Sequence, residues 1–235
     1  MLESLRLTKR FGDRLALDAL DLRVGAGEVY ALLGPNGAGK TTTINLFLGF
    51  LAPDGGEARV GGSRVADDPV AARRRLAYIP EQVALYPRFT GLENLDYFSA
   101  LAGRRHTEAE LLELLERAGL AREAALRRVG TYSKGMRQKV GIALALATGA
   151  RALLLDEPTS GLDPAASHEF SRLIRRLAGE GVAILMATHD LFRAREDATR
   201  VGILIGGKLT GQYGAAELAG ADLEALYLEH LERAR

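Results

Sequence analysis

The residues best suited to chemistry lie between Gly34 and Thr42, where the chain reads GPNGAGKTT. Glycines let the backbone wrap closely and direct its N–H groups at phosphate oxygens, and a helix that begins there adds the positive end of its dipole. A lysine supplies a compact charge for the β- and γ-phosphates, and the hydroxyl that follows suits Mg²⁺. The spacing predicts a nucleotide-binding loop formed by Gly34, Pro35, Asn36, Gly37, Ala38, Gly39, Lys40, Thr41 and Thr42.

A second candidate group is the carboxylate pair Asp156 and Glu157, which ends the apolar run from Ala152 to Leu155. A buried strand delivers such residues to the carboxyl edge of an α/β sheet, where ligands bind. There we expect Asp156 to hold Mg²⁺, directly or through a water, and Glu157 to polarise the attacking water. An acidic strand end that serves only a turn is the alternative. Together with the phosphate loop, the pair predicts hydrolysis of a nucleoside triphosphate.

Several shorter motifs accompany these two. Gln82 follows the run Leu76–Glu81, the segment 132–138 reads YSKGMRQ, residues 160–163 read SGLD, and residues 188–190 read THD. In this order and spacing the chain resembles the nucleotide-binding subunit of an ABC transporter. The resemblance covers essentially the whole chain.

The resemblance implies roles for residues on the near side of an ATP site. Gln82 would touch Mg²⁺ or the water, His189 would hydrogen-bond the γ-phosphate and orient Glu157, and Phe11 would stack on adenine. Taken singly, each has another interpretation. Phe11 also suits a core aromatic, Gln82 a solvated loop residue, and His189 a histidine at a strand end.

The segment at 132–138 provides candidates for the far side of the site, which a second subunit would contribute. Ser133 precedes a long helical run, so it suits an N-cap, and a helix N-terminus with free amides binds anions. By resemblance, Ser133, Gly135 and Asp163 would face the ATP of an opposite subunit, and Asp163 also suits a helix cap. The segment departs from the common LSGGQ form, with Lys134 and Met136 in place of a glycine and the glutamine. Its Y-S-K-G-M form is similar to that of ATPases paired with separate export-type membrane subunits.

The patterns around these motifs predict a mostly parallel α/β sheet. Leu2–Thr8 and Ala16–Val24 alternate apolar and polar residues, as half-buried strands do, and Thr42–Leu51 predicts a helix. Continuous apolar runs predict strands buried on both faces: Glu28–Leu33, Leu76–Pro80, Ala152–Leu155, Ala183–Ala187 and Val201–Ile205. The fold class expected is α/β. The resemblance implies a P-loop NTPase (RecA-like) core with an N-terminal antiparallel β subdomain and an inserted helical signature subdomain.

The middle of the chain differs from its flanks because it shows only helical patterns, including a capping-box form at Thr107 and Glu110. The last part suggests a small amphipathic helix around Leu223 and Leu226–Leu228. We therefore expect a single ABC ATPase domain over 1–235, divided into an ATP-binding core at 1–82 and 151–205, a helical subdomain at 83–150 and a short C-terminal tail at 206–235.

Composition narrows the class of protein further. The chain has 31 basic and 30 acidic residues, which is not the charge of a dedicated nucleic-acid binder. It has no cysteine, which excludes disulfide scaffolds, thiolate metal sites and cysteine nucleophiles. The best apolar run, Val140–Ala150, is about half the length of a membrane span. Only five residues are lysines, and one of them, Lys134, has no evident reason for its place in the signature segment.

The function expected by resemblance is ATP binding and hydrolysis, with Mg²⁺, that drives transport through a separate membrane partner. The partners would be a second copy or a paralogous ATPase, which encloses two ATP molecules head to tail, and an integral membrane permease, with no nucleic acid. The place would be the cytoplasmic face of a bacterial or archaeal cell membrane. The stretch Tyr86–Leu95 would receive a coupling helix of the permease, or it would pack internally.

Export is favoured over import by the form of the signature segment and by Asp68–Gly103, which resembles the ATPases of drug, ion and polysaccharide exporters. Parts of that segment are also similar to an ATPase that serves the maturation of a copper enzyme reducing nitrous oxide. The alternatives are an importer ATPase, a soluble ABC ATPase acting on ribosomes or DNA, and a non-hydrolysing regulatory subunit. A short insert without sustained heptads argues against the DNA-repair type, and Glu157 with His189 argues against the regulatory type.

Overall fold

The computed structural model describes residues 1–233, and its centre is a mixed sheet. In chain order the strands are β1 Leu2–Phe11, β2 Arg14–Val24, β3 Val29–Leu33, β4 Gly55–Val60, β5 Ser63–Arg64, β6 Leu76–Ile79, β7 Ala152–Asp156, β8 Ala183–Thr188, β9 Arg200–Ile205 and β10 Lys208–Gly214. The central sheet has the order β10-β9-β3-β8-β7-β6, with parallel neighbours except for the antiparallel pair β9–β10. A second, antiparallel sheet has the order β2-β1-β4-β5. The predicted fold class is confirmed.

Helices cover the central sheet and fill the segment between β6 and β7. They are α1 Lys40–Phe47, α2 Pro69–Arg73, α3 Gly91–Leu101, α4 Glu108–Arg117, α5 Arg122–Ala125, α6 Lys134–Thr148, α7 Pro164–Gly179, α8 Leu191–Asp197, α9 Ala215–Gly220 and α10 Leu223–Arg233. A 3₁₀ turn, Val129–Thr131, precedes α6. Among the described residues, no helix combines the length and the hydrophobicity needed to cross a bilayer.

Strand β3 shows why the core strands read as continuous apolar runs. Val29, Ala31 and Leu33 face one hydrophobic core, which the helices α4, α6 and α7 share. Tyr30 and Leu32 face the other core, which lies under α1 and the antiparallel sheet. Because successive side chains of a strand point to opposite faces, both alternating sets must be apolar when both faces are covered. The five positions are 0–1% exposed.

The helical patterns between residues 83 and 150 are confirmed, and local capping explains where the helices begin. Glu110 donates its N–H to Thr107 Oγ1 (3.3 Å), while the Thr107 N–H donates to Glu110 Oε2 (2.7 Å). Thr90 and Glu93 form the same reciprocal pair at the start of α3. Ser133 accepts from the Met136 N–H (3.3 Å), as predicted for an N-cap.

The largest difference from the sequence prediction lies just after residue 205. The small helix predicted around Leu223 and Leu226–Leu228 is present as α10, but the strand β10 that precedes it was not predicted. Strand β10 pairs with β9 and forms an edge of the central sheet. Its pattern KLTGQYG has glycines and half-buried positions, so it lacks the apolar run that identified the other strands. The sequence also failed to predict β4, β5 and α2, which are short or glycine-rich. The ends of the other predicted strands and helices differ from the observed ends by at most four residues.

Candidate functional site

Three neighbouring strands end at the same edge of the central sheet and bring the predicted motifs together. In the order β3-β8-β7, all parallel, they are followed by the phosphate loop, His189 and the carboxylate pair. Gly34 donates its N–H to the Thr188 carbonyl (3.2 Å), and Glu157 donates its N–H to the Ala187 carbonyl (2.9 Å). Segments that are more than 100 positions apart in sequence therefore meet at one place, which is where open α/β sheets bind ligands.

The phosphate loop needs glycine at two positions for reasons visible in the structure. A Cβ on Gly34 would lie 2.2 Å from the Leu204 carbonyl oxygen. Gly39 has φ of 112°, and a Cβ there would lie 2.6 Å from the Ala16 oxygen. Gly39 is also the N-cap of α1, and among the described residues no side chain caps that helix. The first N–H groups of α1 thus remain available to an anionic ligand.

Lys40 joins the loop to the acidic strand end. Its ammonium donates to the Gly34 carbonyl (2.6 Å) and lies 3.3 Å from both the Pro35 carbonyl oxygen and Glu157 Oε1. The lysine side chain is only 6% exposed, so its charge is held by these oxygens rather than by solvent. A positive charge is therefore fixed between the loop and Glu157.

Thr41 and Asp156 form the second link between the two motifs. The Thr41 hydroxyl donates to Asp156 Oδ2 (2.9 Å). Burial raises the pKa of Asp156 above its usual range, although the hydrogen bond from Thr41 and the charge of Lys40 act in the opposite direction. A partly desolvated carboxylate beside a hydroxyl is a pair of oxygen ligands of the kind that Mg²⁺ takes.

Glu157 is held in an unusual backbone conformation. Its φ is 47°, in the left-handed region that costs a non-glycine residue about 1–3 kcal/mol. Its Oε2 lies 2.9 Å from His189 Nδ1 and 3.3 Å from the Thr188 hydroxyl. Its Oε1 is shielded from solvent and accepts no hydrogen bond from the described residues, although the Lys40 charge is close. The carboxylate is thus held between His189 and Thr188 on one side and the Lys40 ammonium on the other.

Arg14, which no sequence motif singled out, links the hairpin that carries Phe11 to the phosphate loop. Phe11 pairs with Arg14 at the tip of the β1–β2 hairpin. Arg14 donates to the Gly37 carbonyl (3.0 Å), which ties the hairpin to the loop. The Phe11 ring is 48% exposed, with the Lys9 ammonium 5.5 Å from its centroid. Phe11 is therefore not a core aromatic.

The other predicted site residues lie apart from this hydrogen-bonded cluster. Ser133 and Asp163 are exposed and cap their own helices, with Asp163 accepting from the Ala166 N–H (2.9 Å). Gly135 is buried in the first turn of α6. Gln82 is exposed in the loop after β6. Within one chain, the structure thus brings together Lys40, Thr41, Asp156, Glu157 and His189, and it leaves Gln82, Ser133 and Asp163 facing solvent.

The chemistry of the clustered groups fits a magnesium nucleotide. An uncapped helix N-terminus and a buried ammonium suit phosphate oxygens, and the hydroxyl–carboxylate pair suits a divalent cation. The exposed ring of Phe11 offers a flat apolar face next to the same loop. The fold and these groups define a P-loop NTPase.

The family follows from comparison with known proteins. Residues 17–160 match the family model described as ABC transporter, and the chain belongs to this family. The chain is 40% identical to the daunorubicin resistance ATP-binding protein DrrA3 of Streptomyces coeruleorubidus, over 89% of this chain and 67% of that protein. It is 32% identical to the linearmycin resistance ATP-binding protein LnrL of Bacillus subtilis, over 89% of this chain and 68% of that protein. The chain thus spans about two thirds of the length of these curated relatives.

Solved structures agree with this assignment. The ATP-binding subunit of an ABC transporter superposes with a TM-score of 0.85 at 33% identity, over 98% of this chain and 99% of that one. A dimeric ATP-binding cassette in a post-hydrolysis state, bound to ADP and phosphate, superposes with a TM-score of 0.80 at 27% identity, over 92% of this chain and 99% of that one. This chain is accordingly an ATP-binding subunit of the ABC transporter family, and it is an ATPase.

Proposed function

We propose that this chain hydrolyses magnesium ATP at the edge of β3, β8 and β7, and that it powers export through a separate membrane permease. The observation that carries the proposal is the connected set Lys40, Thr41, Asp156, Glu157 and His189. Glu157 contacts both Lys40 and His189, and Thr41 donates to the neighbouring Asp156, so all five groups lie at one edge of the sheet. No other part of the described chain assembles phosphate-binding and acid–base groups in this way.

Binding of the nucleotide is assigned to the loop 34–42 and its neighbours. The N–H groups at the start of α1 and the Lys40 ammonium would hold the phosphates, and Phe11 would stack on the base. Thr41, Asp156 and Gln82 would hold Mg²⁺, which neutralises phosphate charge when bound. The tie from Arg14 to Gly37 supports the proposal for Phe11, because it keeps the hairpin tip next to the loop.

Hydrolysis is assigned to Glu157, positioned by His189. The Glu157 carboxylate would accept a proton from the attacking water, and its contact with His189 (2.9 Å from Oε2 to Nδ1) would orient it. The Lys40 ammonium lies 3.3 Å from Oε1 of the same carboxylate and holds it from the other side. His189 is 57% exposed, which leaves its ring free to reach the γ-phosphate as well.

Completion of the site requires a second copy of the chain. Ser133, Gly135 and Asp163 belong to helix N-termini outside the near-side cluster, and Ser133 and Asp163 are exposed. We propose that they meet the nucleotide of an opposite subunit in a head-to-tail dimer. The dimeric form of the solved cassette supports this proposal.

Coupling to a permease is assigned to the groove between α3, α6 and the loop after β6. This groove has a volume of about 1130 Å³ and is lined by Gln82, Leu85, Phe98, Leu101 and Leu144, among others. The Tyr86 ring stacks on the lining residue Phe98, and Tyr86 and Phe89 both pack against Tyr97 yet stay 38–45% exposed. An apolar groove with a polar loop at one end suits an amphipathic helix. Docking there would place Gln82 between the permease and the nucleotide.

Export and location follow from the relatives rather than from the geometry. Proteins named for daunorubicin resistance, linearmycin resistance and Nod factor export share 32–41% identity with this chain. We therefore propose that the chain works at the cytoplasmic face of a bacterial or archaeal membrane, held there by its permease.

The test separates binding from hydrolysis with two variants. Glu157→Gln should bind ATP like the parent protein but lose at least about 100-fold in turnover, because the base is gone while the phosphate loop remains. Lys40→Ala should lose ATP binding itself, because a buried charge at the phosphates is removed. Calorimetry measures binding, and phosphate release measures turnover. Glu157→Gln with unchanged turnover would refute the assignment of the base, and Lys40→Ala with unchanged ATP affinity would refute the assignment of the loop.

A further inference from the structure

Lys134, the unexplained lysine of the signature segment, bridges two loops in the structure. Its ammonium donates to the Ser160 carbonyl (2.5 Å) and to Glu81 Oε1 (3.3 Å). The Ser160 hydroxyl donates to the same Glu81 oxygen (3.2 Å). One carboxylate and one ammonium therefore connect the start of α6, the loop that carries Gln82 and the loop that follows Glu157. We call these three side chains, Lys134, Glu81 and Ser160, the Lys134 network.

The loop after Glu157 receives a second bond from the same helix. Gln138, which is fully buried one turn after Lys134, donates its side-chain amide to the Pro158 carbonyl. Residues 158 and 160 are thus both held by side chains of α6. The other hydrogen bonds of the segment between Glu157 and Asp163 are its own turn bonds, such as the Ser160 N–H to the Glu157 carbonyl (3.2 Å), while Pro158 and Thr159 are buried and Leu162 packs against the core.

This anchorage matters because Glu157 is strained. Its φ of 47° persists only where the surroundings hold the chain on both sides. On the N-terminal side, β7 is locked in the sheet. On the C-terminal side, the bonds from Lys134 and Gln138 are the side-chain links that α6 makes to residues 158–160. If these bonds are lost, the backbone at Glu157 can relax, and its carboxylate then leaves His189.

We propose that Lys134 is a positioning residue for ATP hydrolysis, which acts through the Lys134 network on the backbone of Glu157 and on the loop of Gln82. The inference rests on the proposed function of Glu157. The contacts of the Lys134 ammonium are with Glu81 and Ser160, whereas the Lys40 ammonium contacts the phosphate loop itself. The network would set turnover rather than nucleotide affinity.

The experiment uses three variants of the network: Lys134→Met, Glu81→Ala and the double variant that carries both changes. Lys139→Met is the control. Lys139 lies on the same helix and pairs with Glu169 (2.7 Å), so its loss removes a similar ion pair that does not touch residues 158–160. Hydrogen exchange of the amides at 159–162 is measured in nucleotide-free protein, and kcat and KM for ATP are measured in parallel. If Lys134→Met folds poorly, Glu81→Ala still tests the same contact, because Glu81 is exposed and lies outside α6.

The expected result has three parts. Lys134→Met and Glu81→Ala both speed exchange at 159–162 by about threefold or more, because the loop opens locally more often. Both lower kcat by roughly three- to tenfold, as for the loss of a partly exposed charged hydrogen bond, and change KM by less than about twofold. The double variant is no worse than the more affected single variant, because residues of one network are not additive. Lys139→Met matches the parent protein.

Two outcomes would overturn the inference. Unchanged exchange, or effects of the two single variants that simply add, would show that the contacts do not act as one network. A rise in KM for Lys134→Met, with kcat preserved and no parallel effect of Glu81→Ala, would show that the ammonium binds a nucleotide phosphate instead. If the parent protein itself did not hydrolyse ATP, the proposed function would fail, while the exchange data would still decide whether the network holds the loop.

Discussion

At the scale of single residues, the main feature of the site is a buried carboxylate, Asp156, with few neighbours that stabilise its charge. Asp156 is 9% exposed, and its desolvation is only partly offset by the Thr41 hydroxyl and Lys40. Burial likewise raises the pKa of Asp197, which accepts a hydrogen bond from the Ser171 hydroxyl (2.7 Å) and lies outside the site. A carboxylate that the fold disfavours is one that a divalent cation can stabilise. Burial of the Asp156 carboxylate therefore costs stability, as expected if the proposed Mg²⁺ binds there.

The pH dependence of this cost is testable. Because the pKa of Asp156 is raised in the folded protein, the native state binds the proton more tightly, and stability falls as pH rises from the unfolded pKa through the folded one. Asp156→Asn removes this titration and keeps an acceptor for Thr41. Without Mg²⁺ the variant should gain free energy of unfolding relative to the parent protein, more at about pH 7 than at about pH 4. Denaturant titrations at the two pH values measure the difference.

Asp197→Asn is the matched control for that experiment. It should show the same dependence on pH, because burial raises the pKa of both carboxyl groups. It should keep the stabilisation of the fold by magnesium ATP, which Asp156→Asn should lose. A gain for Asp156→Asn that is equal at both pH values would contradict the linkage.

At the scale of elements, the edge strand β10 depends on a space left by a glycine in β9. The Tyr30 hydroxyl donates to Gln212 Oε1 (3.0 Å), which links β3 to β10 across β9. A Cβ on Gly202 would lie 2.1 Å from that hydroxyl oxygen. Tyr213 in turn meets His230 of α10 (2.6 Å), so the last helix is tied to the same strand. Strand β10 and helix α10 are thus tied to the rest of the protein through Tyr30 and Tyr213.

Gly202→Ala should therefore destabilise the protein by about 1–3 kcal/mol, since the added methyl group displaces Tyr30 in a filled core. Gly179→Ala, at the end of α7, is the matched control because its Cβ meets no atom within 4 Å. It should leave stability unchanged or raise it by up to about 1 kcal/mol, because alanine favours a helix. Equal loss in the two variants, measured by urea unfolding, would refute the packing argument.

At the scale of the whole molecule, the proposed function divides the ATP site between two regions of one chain. The near side gathers at the edge of β3, β8 and β7, while Ser133 and Asp163 stand exposed at helix N-termini. A two-fold symmetric pair of chains can join one near side to one far side twice, because a symmetric interface repeats every contact. We therefore expect ATP hydrolysis to depend on residues of both copies.

Mixing two inactive variants tests this expectation. Lys40→Ala lacks the near side and Ser133→Arg lacks the far side, so neither should hydrolyse ATP alone. A mixed dimer has one site with both changes and one intact site, and an equimolar mixture should recover up to roughly a quarter of the parental turnover. A mixture of Lys40→Ala with Glu157→Gln, which both affect the near side, should recover none. Equal recovery in both mixtures would contradict a shared site.

The parts of the fold that the sequence predicted are those that depend on neighbours along the chain. The buried strands β3 and β7 appear as apolar runs because both faces are covered, and Thr107 with Glu110 caps α4 across three residues. The short or glycine-rich strands β4, β5 and β10 have no such pattern, since their burial is set by the elements that they meet.

The same distinction holds for the site. Sequence alone determined the phosphate loop, the Asp156–Glu157 pair and the cap at Ser133, because each is a local match between residue types and a turn or helix end. Only the tertiary structure decided that Arg14 holds Gly37 and that Lys134 joins Glu81 to Ser160. These bonds span 23 to 53 positions, and no periodicity connects residues so far apart. Such contacts depend on the order of the strands in the sheets, because that order brings distant loops to one edge.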